Sequence, residues 1–171
     1  MKNLLYKGYN NNYNIDLTVH SCNNHLYNDI EPVFKNSLKK SKKNMIKNIK
    51  IVCTWQKSRV PINIISEEVS KEMNKLYENF INYIKVIKEK VEEKDFWLDA
   101  SDPHTGKCLF GEKSNCIYNE LQGLKYLLKY ESEKMGCCGM VFHPTYQYHG
   151  YPITFFTDAP IDMLKKILCV S

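Results

Sequence analysis

The sequence predicts an α+β domain with a mainly antiparallel sheet and packed helices, on three observations. Apolar residues recur at helical spacing in some stretches and alternate in others. Turn-forming residues join the alternating stretches as hairpins. No repeat or Pro/Gly/Ser-rich linker divides the 171 residues. A chain of this length buries roughly two-thirds of its unfolded surface.

Gly8 to Asn14 is rich in asparagine and tyrosine, so residues 1–20 are expected to be a weakly ordered lead-in and residues 21–171 a single domain. Leu26, Ile30, Val33 and Phe34 define a short amphipathic helix that the lysine run Lys39 to Lys43 terminates. Ile49, Ile51, Cys53 and Trp55 alternate with Lys50, Thr54 and Gln56, the pattern of a strand with one buried face. Val60 to Ile65 reads as a second strand, assigned to an edge by Pro61 and joined to the first through Lys57 to Arg59. Met73, Leu76, Tyr77, Phe80, Ile84, Ile87 and Val91 form one long stripe, a helix lying across the sheet. Phe96 to Ser101 and Cys108 to Phe110 flank the turn Asp102-Pro103-His104-Thr105-Gly106. Tyr118 to Leu128 is a helix, and Cys138 to Phe142 with Ile153 to Thr157 a closing strand pair. Pro160 opens a last helix that buries Ile161, Leu164 and Leu168.

The net charge is +5, but of 24 basic residues only Arg59 is arginine. No basic stripe is interleaved with stacking aromatics, and no arginine cluster is available to read guanine edges, which argues against nucleic-acid binding. No apolar stretch approaches the length of a membrane span, so no membrane contact is expected. Seven cysteines stand at no disulfide-framework spacing. They fit a reducing, cytoplasmic compartment in which the thiols stay free.

The adjacent Cys137 and Cys138, between Gly136 and Gly139, are the feature with the most chemistry. Neighbouring α-carbons stand about 3.8 Å apart, and ordinary disulfides span about 4.4–6.8 Å, so a bond within the pair would be strained and two thiols are the default. Flanking glycines remove bulk and let a large ligand approach. A thiolate is a soft donor suited to cobalt, copper or zinc. Against this stands the ordinary use of cysteine as a small buried hydrophobe, preferred for Cys22, Cys53, Cys108, Cys116 and Cys169 and evenly balanced for the pair. A zinc site from Cys137, Cys138, His143 and His149 is disfavoured, because adjacent strand residues point apart. Asp99 and Asp102 form a carboxylate pair, with turn capping the preferred role for Asp102. His104 is expected in solvent, and His143 bonded to loop backbone. No catalytic constellation assembles.

Phe96-Trp97-Leu98-Asp99-Ala100-Ser101-Asp102-Pro103-His104-Thr105-Gly106, then Phe110-Gly111 and Gly136-Cys137-Cys138, resembles the methylmalonic aciduria and homocystinuria type D family, the CblD cobalamin-trafficking proteins. The likeness continues more weakly through His143 and Asp158-Ala159-Pro160 to Lys165-Lys166. It implies a nitroreductase-like domain that has lost flavin binding, and an escort in place of an enzyme. Trp97, Asp99, Asp102, Pro103, Gly106 and Gly136 are then the structural motif residues. Cys137 is the cobalt thiolate ligand in a complex with a type C (CblC) cobalamin-processing protein, and Cys138 its neighbour. No cofactor is held by the chain alone; cobalamin is shared with the partner and directed to methionine synthase or methylmalonyl-CoA mutase. Animal members carry an N-terminal extension with a mitochondrial leader, and this chain starts near the folded domain, which favours the methionine synthase branch. Gly139 and Phe142 replace basic residues of the family pattern. Homodimer formation stays open. The rival reading is a thiol- or flavin-dependent oxidoreductase on the same fold.

Overall fold

A computed structural model describes residues 1–38, 48–135 and 138–169, with the backbone alone for Met135 and Cys138. Five strands form one sheet and two a separate ribbon. In chain order the elements are β1 (Leu4–Asn10), β2 (Ile15–Ser21), α1 (Asn24–Leu38), β3 (Lys50–Lys57), α2 (Glu67–Glu92), β4 (Leu98–Ala100), α3 (Glu120–Leu128), β5 (Ser132–Met135), β6 (Cys138–Val141), β7 (Gly150–Thr157) and α4 (Ile161–Leu168). The large sheet runs β1-β2-β3-β7-β4, and every strand pair among the described residues is antiparallel.

Helices cover both faces of the sheet. On one face the stripe of α2, with Phe80, Tyr83, Ile84 and Val91, and Leu164 and Leu168 of α4 pack on Ile15, Leu17, Val52, Ile153 and Phe155. On the other face Leu26, Ile30 and Phe34 of α1 and Leu124 and Leu127 of α3 pack on Ile51, Cys53, Trp55 and Phe156. Two layers of helix explain why strand β3 departs from the expected single buried face. Six of its residues, Ile51 to Gln56, are buried. The polar ones lie under α2 and are satisfied there: the Thr54 hydroxyl donates to Ile153 O at 2.6 Å, and Gln56 Nε2 to Leu76 O at 2.8 Å.

Three further expectations are corrected. Residues 4–10 and 15–21, assigned to a lead-in, are strands, with Ile15, Leu17 and Val19 fully buried. Val60 to Ile65 forms no strand. Both edges of β3 are taken by β2 and β7, Pro61 has no N–H to offer, and the Ser58 hydroxyl donates to Val60 O at 2.6 Å, closing a local turn. Strand β6 pairs with β5, not with β7, which lies between β3 and β4. Helices α1, α2, α3 and α4 occupy their expected stretches, although Ile161 is only half-buried. The lysine run expected to end α1 lies outside the described residues.

The Asp102 to Gly106 turn is built from its own side chain. Asp102 Oδ1 accepts the His104 N–H at 3.0 Å, its Oδ2 accepts the Thr105 hydroxyl at 2.7 Å, and its carbonyl accepts the Gly106 N–H at 2.7 Å. This is the capping role expected of Asp102. Gly106 has φ +69°, and a Cβ there would stand 2.9 Å from Tyr118 O. Gly106→Ala is therefore expected to cost about 1–2 kcal/mol from left-handed backbone strain alone. Urea unfolding tests this, and a loss below about 0.5 kcal/mol, an ordinary surface effect, would contradict it.

Candidate functional site

Of the vicinal cysteines, Cys138 begins β6 of the β5–β6 ribbon. Met135 pairs with Cys138, and residues 136–137, which connect the two strands in sequence, lie outside the described residues. An isolated two-stranded ribbon is marginal in water, so its attachment matters. Leu121 on α3 packs so closely that a Cβ on Gly139 would meet its Cδ2 at 2.6 Å. At the base, the Phe142 N–H donates to Glu131 O at 2.8 Å.

His143 fastens that base to the large sheet. Its Nδ1 accepts the N–H groups of Thr145 and Tyr146, both at 3.3 Å, so the ring proton sits on Nε2, which faces Asp16 Oδ2 on β2 at 3.3 Å. The ring stacks on Tyr146 at 4.2 Å and meets Trp55 at 5.3 Å and Tyr130 at 5.8 Å. The expected bonds to loop backbone are present, and the aromatic box and Asp16 are additional.

The motif before the ribbon is a structural knot. Asp99 is buried, and Oδ1 accepts the N–H groups of Ala100, Leu109 and Phe110 at 2.8, 3.2 and 3.0 Å while Oδ2 accepts that of Gly111 at 3.0 Å. Three of these donors fold residues 109–111 onto β4, a positioning task. Trp97 donates its Nε1–H to Ser37 Oγ at 3.3 Å and its backbone N–H to Asp158 Oδ1 at 2.6 Å, fixing β4 between α1 and the end of β7. His104 is exposed, with its ring edge-on to Tyr77 at 4.9 Å.

The Asp102 turn and the ribbon meet at one cavity of about 300 Å³, whose wall includes Pro103 from the turn and Gly139, Met140 and Val141 from the ribbon. Sequence reasoning missed two of its polar residues. Glu120, first in α3, accepts the Thr154 hydroxyl through Oε1, while its Oε2 is buried with no partner. Burial raises its pKa to about 7. Tyr151 is 4% exposed and its hydroxyl also lacks a partner. Neither residue belongs to a local pattern, so nothing in the sequence singles them out.

The described cysteines divide sharply. Cys53 is fully buried and burial raises its pKa; burial pushes Cys22 up to about 12; Cys108 is buried and also raised. Cys169, half-buried, accepts the Tyr6 hydroxyl at 3.5 Å. Cys116 is exposed, contrary to its expected burial. No group of three or more His, Cys, Asp or Glu among the described residues is placed to hold a metal. His149 is instead bonded through Nδ1 to Ser58 O at 3.0 Å. No helix among them is long and apolar enough to cross a membrane.

The class these features define is an α+β protein with a mainly antiparallel sheet, four helices and a separate two-stranded ribbon that begins its second strand at Cys138. Its family is settled by comparison. A family model described as "Methylmalonic aciduria and homocystinuria type D protein" matches residues 2–168, and the chain belongs to that family. Relatives described as "Cobalamin trafficking protein CblD" match most of the chain. The Gallus gallus protein is 26% identical over 161 residues, 93% of this chain and 52% of the relative. The Rattus norvegicus and Homo sapiens proteins are 27% and 26% identical over 155 residues, 90% of this chain and 50% of each relative. The chain thus spans about half the length of the curated relatives it matches.

Two outcomes are expected here. Asp99→Ala strands the N–H groups of Ala100, Phe110 and Gly111, while that of Leu109 keeps Ala100 O at 2.9 Å, and should cost about 3 kcal/mol in urea unfolding, with a loss under about 1 kcal/mol contradicting the knot. Glu120 binds its proton more tightly folded than unfolded. Its contribution is therefore complete below about pH 4.5 and is lost as pH rises through about 7. Glu120→Gln should flatten that decline in stability between those pH values; an unchanged slope would show that Glu120 is not its source.

Proposed function

We propose that this chain is a cobalamin-trafficking adaptor in which Cys137 offers a thiolate to cobalt. The carrying observation is family membership over residues 2–168, in a chain whose sequence holds the run Gly136-Cys137-Cys138-Gly139, of which Cys138 and Gly139 begin strand β6. The relatives' description as cobalamin-trafficking proteins supports the cargo. The cysteine distribution supports the residue. Cys22, Cys53 and Cys108 are held by burial in the protonated form, and a soft metal takes the thiolate.

In this reading the fold is nitroreductase-like without flavin, and the chain acts in the cytoplasm as an escort. A type C processing protein strips the upper ligand of cobalamin and presents the bare cobalt face. The Cys137 sulfur then occupies the open axial position, and the complex directs the cofactor to methionine synthase, with methylmalonyl-CoA mutase as the second destination. Glycine at position 136 removes side-chain bulk next to Cys137 in the sequence.

Mixing the chain with cobalamin and the processing partner should shift the corrin absorbance toward a cobalt–sulfur species. Cys137→Ser should abolish the shift, Cys138→Ser should keep most of it, and Cys116→Ser, at an exposed thiol elsewhere on the surface, should leave it intact. A shift that survives Cys137→Ser refutes the ligand assignment. Flavin absorbance in the purified chain would point to the oxidoreductase reading.

A further inference from the structure

Two features of the sequence have no part in the trafficking reading: the asparagine- and tyrosine-rich segment Gly8 to Asn14, and Arg59, the one arginine among 24 basic residues. The fold brings them to the same place. A cavity of about 540 Å³ lies where the β1–β2 turn meets the end of β3 and the first half of α2. Tyr9, Tyr13, Lys57, Arg59 and Lys75 line it, with Tyr146 from the loop before β7.

The wall is held in shape by polar contacts. Asn10 Oδ1 accepts the Tyr13 N–H at 3.1 Å, and Asn79 Nδ2 on α2 donates to Tyr13 O at 2.7 Å. Arg59 is held as firmly. Its backbone N–H donates to Glu72 Oε1 at 2.9 Å, and its Nε and Nη2 donate to Oε2 at 2.9 and 2.8 Å. Glu72 is buried, yet the Arg59 side chain is 74% exposed. A buried carboxylate thus fixes the direction of an exposed guanidinium and leaves Nη1, with its two N–H donors, unspent.

The charge on the wall is one-sided. Glu72 is the only acid that lines the cavity, and Arg59 and Lys75 both lower its pKa, so two cations converge on one carboxylate. Lys57, at the end of β3, adds a third cation, and neither lysine forms an ion pair among the described residues. Asp16, which acts on the Tyr146 phenol, does not line the cavity and faces His143. A ligand carboxylate would be matched by the Arg59 fork alone. A phosphate monoester, with nearly two charges and three terminal oxygens, matches all three cations. The tyrosine rings supply faces on which an aromatic group stacks. The volume is that of a small-ligand site, not of a groove that tracks a polynucleotide.

We propose that this cavity binds the phosphate monoester of a small aromatic molecule, of which a mononucleotide is the simplest representative. Lys57, Arg59 and Lys75 hold the phosphate, and Tyr9, Tyr13 and Tyr146 surround the ring. The site shares no residue with the Cys137 reading, so each stands if the other fails.

The isotope-labelled chain is titrated near neutral pH with adenosine 5′-monophosphate (AMP), adenosine and inorganic phosphate, and the backbone amide resonances of Tyr13, Lys57 and Asn79 are followed. AMP should shift them saturably, about fivefold or more tighter than phosphate. Adenosine should bind about tenfold or more weaker than AMP. Lys57→Gln and Lys75→Gln, at exposed side chains outside the core, should each weaken AMP about threefold. Arg59→Lys, which keeps a charge opposite Glu72 and loses the fork, should weaken AMP and phosphate alike. Tyr9→Leu should weaken AMP and leave phosphate unchanged. No saturable shift with AMP or phosphate overturns the site. Phosphate as tight as AMP overturns the aromatic part of the ligand, and adenosine as tight as AMP overturns the anionic part. Unchanged AMP affinity in both lysine variants overturns the assigned cations. A single-stranded oligonucleotide that binds more tightly than AMP overturns the small ligand in favour of nucleic acid.

Discussion

The pairing of β7 with two unequal neighbours is the constraint on which the rest of the structure depends. Along one edge β7 pairs with β3 from Gly150 to Thr157; along the other it meets only the three residues of β4, opposite Phe155 to Thr157. The last bond on that side runs from Ser101 N–H to Thr154 O. Beyond it, no described strand covers the start of β7. Backbone groups along a strand alternate sides with period two, so Pro152 aims its missing N–H in the direction of Thr154 O, away from β3. The proline therefore removes nothing from the central ladder, and the uncovered stretch becomes one wall of the cavity.

The short β4 is held in place by buried polar chemistry. Asp99 gathers four N–H groups, and Trp97 ties its strand to Ser37 on α1 and to Asp158 past β7. These are costly groups to bury, and each is matched by donors or acceptors that only this backbone path supplies. The same path turns at Asp102 and sets Pro103 against the cavity. A motif that resembles a binding signature in the linear chain is thus largely a device for ending β4 at the right residue.

The ribbon is attached by different means. Packing of Leu121 near Gly139 anchors its length, while the approach of His143 Nε2 to Asp16 Oδ2 at 3.3 Å and the rings of Trp55, Tyr130 and Tyr146 anchor its base. Asp16 and Trp55 belong to neighbouring strands of the large sheet, so the ribbon's base is referred to the most deeply buried part of the molecule. The described part of the ribbon is thus positioned by the sheet beneath it.

The sequence by itself determined the elements whose signal is local: the stripes of α1 and α2, the alternation of β3, the Asp102 turn and the family that the Trp97-to-Cys138 pattern marks. Period and turn chemistry are properties of neighbouring residues, and they survive without the fold. The tertiary structure decided what depends on distant partners. It made β3 buried on both faces, because α2 supplies Leu76 O to Gln56. It made strands of an asparagine-rich start, because β3 offers β2 a ladder that covers Ile15 to Ser21. It left Val60 to Ile65 unpaired, because both edges of β3 were already filled. It also brought Glu120 and Tyr151, 31 positions apart, to one cavity. Pairing and burial are long-range, and no spacing along the chain encodes which two surfaces will close on each other.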